Sequence, residues 1–168
     1  MDIKRPQPRP ALKETQMALL NQPAPNFTLI NSQKEEVTLS DFSGSKVILA
    51  FYPAAFSGIC DQEMCIFEDR LAKLNNAQSK VLGISPDSPF ANAKFAEVNG
   101  VTFPLLSDLH LNATKQYNVE FENFAFIEGY TVCNRAVFVI DEEGTVIYEW
   151  IAENPGVQPD YDEVMATL

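Results

Sequence analysis

The chain has 168 residues, enough for one domain built on one core. Hydrophobic residues at 46% and charged residues at 21% are ordinary for a globular protein, which excludes a disordered chain and a disulfide-stapled miniature. A formal charge of -11 argues against a nucleic-acid surface, and the most apolar stretch, Val47 to Phe56, is far short of the roughly 20 residues that a membrane helix needs.

The first predicted feature is a tail. Residues 1–20 contain Pro6, Pro8 and Pro10, which deny regular helix, so an unstructured or packed arm is expected there and a domain over 21–168. The start is basic but lacks an apolar region followed by a small-residue cleavage site, so the expected location is cytoplasmic. Asn26 to Ile30 and Glu36 to Leu39 alternate like strands around a turn, a hairpin. Lys46 to Tyr52 is a near-continuous apolar run, expected as a central strand covered on both faces. Beyond Pro53 and Gly58, apolar residues recur at Ile59, Met64, Ile66, Phe67, Leu71 and Leu74, a helical rhythm expected to end among Asn75, Asn76 and Ala77.

Lys80 to Ser85 then reads as a strand, Ser88 to Asn99 as a helix closing at Gly100, and Val101 to Ser107 as a further strand. Asn112 to Tyr117 predicts a short helix, and Glu120 to Asn134 is irregular and aromatic. Arg135 to Ile140 and Thr145 to Trp150 flank Asp141-Glu142-Glu143-Gly144 as a β-hairpin, and Asp160 to Leu168 closes the chain as a helix. The alternation predicts an α/β sandwich.

Three cysteines in a reducing compartment are not a disulfide framework. Cys60 and Cys65 are spaced C-x4-C, and a zinc site would need a second short-spaced pair that Cys133 and the lone His110 do not supply. Cys60 falls where the strand hands over to the helix. Free N–H groups and the positive dipole end at a helix N-terminus favour a thiolate, the reactive form of cysteine. Pro53 stops the strand, and Ser57, three residues before Cys60, brings a hydroxyl within reach of the sulfur. The plain alternative is a cysteine packed as a small hydrophobe.

Pro53, Ser57 and Cys60, in the context FYPAAFSGIC, resemble the peroxiredoxin signature Pro-x3-Thr/Ser-x2-Cys. The resemblance runs from about Leu20 to the C-terminus and takes in NQPAPNFTLINSQKEEVTLSDF, VLGIS, FPLLSD and NRAVFVIDEEGTVIYEW, which carries Arg135. It implies an α/β fold, a thioredoxin-like three-layer sandwich with a central mixed β-sheet and an N-terminal β-hairpin addition. It further implies thiol-dependent reduction of peroxides at Cys60 without a cofactor. Ser57, Arg135 and the Cys60 amide would serve as donors, and Pro53 would shield the sulfur from bulk water. C-x4-C is similar to the branch typified by bacterioferritin comigratory protein, and AFSGICDQEMC also resembles the alkyl hydroperoxidase E-like branch. The former likeness implies that Cys65 resolves Cys60 within one chain. Residues five apart in a helix have Cα atoms about 8 to 9 Å apart, and a disulfide tolerates only about 4.4 to 6.8 Å, so that bond requires the first turns to unwind.

The partners implied are a peroxide and a thioredoxin-like or other dithiol reductant, with no nucleic acid and no membrane, and with monomer and homodimer both open. Resolution by an external thiol, with Cys65 only packing, is the first alternative, and an inert scaffold of the same fold is the second. A disulfide oxidoreductase would show C-x2-C, but position 63 is Glu63. Glu63 resembles the family's acidic residue that orients the arginine, with a solvated helix-start glutamate as the alternative. Cys133 would share a face with Arg135 if Val132 to Ile140 formed one strand, as a packing residue or a second resolving thiol. His110 is given no catalytic role, and Trp150 and Phe56 are expected as core, with lining of the peroxide pocket as the alternative.

Overall fold

An apolar run without polar interruption needs cover on both sides. The run Lys46–Phe51 receives it as strand β3 near the middle of a seven-stranded sheet. The computed structural model describes residues 18–74 and 79–168. In chain order these form β1 (Thr28–Ile30), β2 (Glu36–Thr38), β3, α1 (Ile59–Leu74), β4 (Ser79–Ser85), α2 (Pro89–Asn99), β5 (Leu105–Ser107) and α3 (Asn112–Gln116). There follow β6 (Glu120–Phe121), β7 (Val132–Cys133), β8 (Ala136–Ile140), β9 (Val146–Ile151) and α4 (Tyr161–Ala166). The expected end of α1 at 75–77, and the expected arm up to position 17, lie outside the described residues.

The sheet order is β2-β1-β5-β4-β3-β8-β9. β3 and β5 run parallel to β4, whereas the β1–β2 hairpin and the β8–β9 hairpin join antiparallel. Alternation along β3 divides the core in two. Val47, Leu49 and Phe51 face a cluster that includes Phe27, Leu29, and Ala113 and Tyr117 of the α3 side. Ile48, Ala50 and Tyr52 face a cluster supplied by Cys60, Met64 and Phe67 of α1, Phe95 of α2 and Val164 of α4. Helices therefore cover both sheet faces, the three-layer arrangement expected.

Local chemistry sets the helix ends. Ser88 Oγ accepts the Ala91 N–H at 3.2 Å, Pro89 occupies the first turn, and Gly100 ends α2 with φ of 65. Two expectations are corrected. β5 starts at Leu105, not Val101, because Pro104 has no N–H to give, while Thr102 is drawn off to Glu68 of α1 by its N–H at 2.8 Å and its hydroxyl at 2.6 Å. The irregular segment after α3 contains a two-stranded sheet, β6 with β7. Gly83 in β4 is a close-approach position, since a Cβ there would stand 2.5 Å from Leu105 Cδ2 and 3.3 Å from the Tyr52 ring.

Candidate active site

β3 ends by geometry. Tyr52 N–H still reaches the Ile84 carbonyl at 2.9 Å, but the next residue, Pro53, is buried and offers no donor. The chain then turns through two left-handed positions, Phe56 with φ of 61 and Gly58 with φ of 76, and enters α1 one residue before Cys60. Its first-turn amides have no intrahelical acceptors. Ala55 N–H donates to Asp87 Oδ2 at 2.8 Å, which ties this turn to the start of α2.

Cys60 is fully buried, and two donors meet at its sulfur. The Ser57 hydroxyl donates at 2.8 Å and Arg135 Nη2 at 3.1 Å. Arg135 lies between β7 and β8 and is 1% exposed, not the solvated strand residue that its type alone suggests. The antiparallel register, with Phe51 opposite Ala136, sets it beside the end of β3. Its guanidinium is held on every edge: Nη1 by Glu63 Oε2, Nε by the Pro155 carbonyl at 3.1 Å, Nη2 by the sulfur. Asn134 braces the backbone, accepting the Arg135 N–H at 2.9 Å and donating to the Ala152 carbonyl at 2.7 Å.

Burial alone would lower the Arg135 pKa, but the Glu63 carboxylate and the Cys60 sulfur outweigh it and hold the value above normal. Glu63 is 0% exposed, not a solvated first-turn residue. Burial pushes its carboxyl up to about 7 against the pull of Arg135, and its Oε1 has no hydrogen-bond partner. A raised acid pKa means that ionisation opposes the folded state. Its stabilising contribution is full below the ordinary value of 4.5 and is lost as pH rises through about 7. Glu63→Gln cannot ionise, so its stability relative to the parent is expected to climb by up to about 3 kcal/mol from pH 4.5 to pH 8. Urea titrations at the two pH values measure this, and an unchanged difference contradicts it.

Cys65 lies farther along the same helix, exposed, its Sγ 3.7 Å from the carbonyl and 3.8 Å from Oδ1 of Asn99. All three cysteines are free thiols. Cys133 does not share the surroundings of Arg135: it packs in the cluster on the α3 side, whereas Cys60 belongs to the opposite one. The chain passes from the small sheet to the large one between residues 133 and 136, so alternation does not carry across. Burial pushes the Cys133 thiol well above its ordinary value, and Sγ donates to the Tyr52 carbonyl at 3.1 Å. Trp150 packs against the Cys60 cluster, while Phe56 is 52% exposed, its ring edge on Phe95. His110 is an exposed turn residue. Among the described residues, no three His, Cys, Asp or Glu side chains gather as a metal site, and no helix is long and apolar enough to cross a membrane.

Sequence reasoning missed the contributions of Pro155, Asn134 and Asp87. Pro155 acts through its carbonyl, which has no sequence signature. Asn134 had a signal, a polar residue beside Arg135 at the head of an apolar strand.

The fold and a thiol flanked by hydroxyl and guanidinium define a thioredoxin-like, thiol-centred α/β protein. Residues 20–149 match the model of the AhpC/TSA family. Peroxiredoxin Bcp of Escherichia coli is 36% identical over 123 residues, covering 73% of this chain and 79% of that protein. Alkyl hydroperoxide reductase E of Mycobacterium tuberculosis is 38% identical over 126 residues, covering 73% and 78%. Among solved structures, peroxidoxin BcpB from Mycobacterium tuberculosis superposes with a TM-score of 0.77 at 28% identity over 90% of this chain and 96% of that one. The chain belongs to the peroxiredoxins of the AhpC/TSA family and is a thiol-dependent peroxidase.

Proposed function

We propose that Cys60 reduces hydrogen peroxide and organic hydroperoxides in the cytoplasm, and that Cys65 resolves it. The observation that carries this reading is the convergence of Ser57 Oγ at 2.8 Å and Arg135 Nη2 at 3.1 Å on one sulfur. As the thiolate attacks a peroxide oxygen, the O–O bond breaks and negative charge spreads over sulfur and both oxygens. Donors already aimed at that place stabilise the spread charge with little reorganisation. The leaving oxygen takes up a proton and departs as water or alcohol, and Cys60 becomes a sulfenic acid.

The sulfenic acid then condenses with the Cys65 thiol, losing water and forming a disulfide, which a thioredoxin-like dithiol reduces by exchange. Both cysteines lie on one continuous helix, so condensation requires the first turns of α1 to unwind. Unwinding is least costly at a helix start, where few intrahelical bonds are lost. An external resolving thiol is the second reading, favoured by the same unbroken helix.

One equivalent of peroxide followed by intact mass separates the two. The parent is expected to lose two hydrogens, mapped to a Cys60–Cys65 link. Cys65→Ser is expected to gain one oxygen and to lose at least about tenfold of its thioredoxin-driven turnover, with the first oxidation unaltered. A stable oxygen adduct on the parent itself sinks the intramolecular cycle.

A further inference from the structure

Helix α2 touches the thiol segment at three places along its length. At its N-terminal end, Asp87 takes the Ala55 N–H on Oδ2 at 2.8 Å. In its middle, fully buried Phe95 meets the edge of the Phe56 ring, centroids 5.3 Å apart. At its C-terminal end, Asn99 takes the Cys65 thiol. Asp87 is itself braced from below: its N–H donates to Ser85 Oγ at 3.2 Å, and that hydroxyl donates to Asn92 Oδ1 at 3.2 Å. Asn92 Oδ1 also accepts the Tyr52 hydroxyl at 2.7 Å, and Asn92 Nδ2 donates to Ser107 Oγ at 3.3 Å. The half-buried carboxylate thus stands on a polar network fixed to β4, β5 and α2.

We propose that Asp87 is a positioning residue that latches the turn 54–58 in the form that sets Ser57 on the Cys60 sulfur, and that must release Ala55 before this turn unwinds toward Cys65. The proposal rests on the roles given to Cys60 and Cys65 above. A left-handed non-glycine residue such as Phe56 persists only where its surroundings hold it, and Asp87 takes the amide immediately before it. A backbone N–H bonded to a carboxylate is charge-assisted and among the stronger hydrogen bonds. Removing it has opposite effects on the two steps. Attack slows because Ser57 is no longer held on the sulfur, and condensation speeds up because unwinding no longer breaks this bond. A residue that merely supports the fold would slow both.

Asp87→Ala in the full chain, mixed with hydrogen peroxide in a stopped-flow instrument, is expected to oxidise about tenfold more slowly and to close the Cys60–Cys65 disulfide about tenfold faster than the parent. Asp87→Asn keeps an oxygen acceptor for Ala55 and is expected within about threefold of the parent on both steps. Equal condensation rates in the parent and Asp87→Ala overturn the latch. Should Asp87→Ala not fold, amide exchange in the parent decides: Ala55 N–H is expected to be protected in the dithiol form and open in the disulfide form. An Ala55 amide that exchanges freely in the dithiol form overturns the proposal. A parent that shows no peroxide-dependent mass change overturns the underlying reading, and the latch with it, whereas a parent that cycles normally isolates the failure to Asp87.

Discussion

Cys60→Ser is expected to abolish peroxide consumption while leaving the protein folded. Serine keeps an oxygen where Arg135 Nη2 and the Ser57 hydroxyl converge, so neither donor loses its acceptor. A serine hydroxyl, however, is scarcely ionised near neutrality and is a weak nucleophile without an adjacent base. Among the described residues, no histidine stands at this site to supply one, since His110 is an exposed turn residue. Loss of peroxide by a coupled thioredoxin assay should fall to background, with the thermal transition retained. Activity remaining in a folded Cys60→Ser protein would transfer the chemistry to another thiol.

Arg135→Ala is expected to produce the second large effect, and it splits into two measurable parts. The peroxide rate should fall by about 10²- to 10³-fold, as when one preorganised donor to developing charge is removed. Stability should fall by about 3 to 5 kcal/mol, because Glu63 stays 0% exposed without its cation. The Glu63 carboxyl, already up at about 7, would rise further once Arg135 no longer pulls it down, so the loss is read at a pH above that raised value, where Glu63 is ionised. Adding Glu63→Gln to Arg135→Ala removes the stranded charge, so the double variant should recover much of the stability and none of the rate. If both recover together, the guanidinium acts by holding the fold and not by serving the sulfur. Arg135→Lys tests shape as opposed to charge. A single ammonium cannot replace a planar fork bonded at once to Glu63, Pro155 and Cys60, so most of the rate loss should persist.

How much of this was legible in the sequence depends on whether a contact is local. The unbroken run 46–51 announced a strand covered on both faces, Ser88 and Gly100 marked the two ends of α2, and Asp141 to Gly144 marked the β8–β9 turn. Ser57 and Cys60 are close in sequence, so their pairing followed from the predicted turn into a helix. Arg135 was different: residue type alone placed it in solvent, and only the resemblance drew it to the sulfur. The Asp87–Ala55 bond spans 32 positions, and the Pro155 carbonyl acts as backbone. Neither leaves a periodicity or a spacing to read. Cys133 was read chiefly as a packing residue, and it packs in the core; its shared face with Arg135 depended on 132–140 forming one strand, a condition that the break between β7 and β8 does not meet.

The pairing of Phe51 with Ala136 has a consequence for how this molecule tolerates change. The guanidinium stands one residue before the rung that closes the β3–β8 ladder and the thiol on the helix that follows β3, so the β3–β8 register, and not the length of the segment 122–131 that precedes β7, sets the arginine at the strand end from which α1 departs. Lengthening or shortening that outer segment leaves the register intact. A single residue inserted between 136 and 140 shifts the register by one and turns the arginine away from the sulfur, even though every residue of the site is still present.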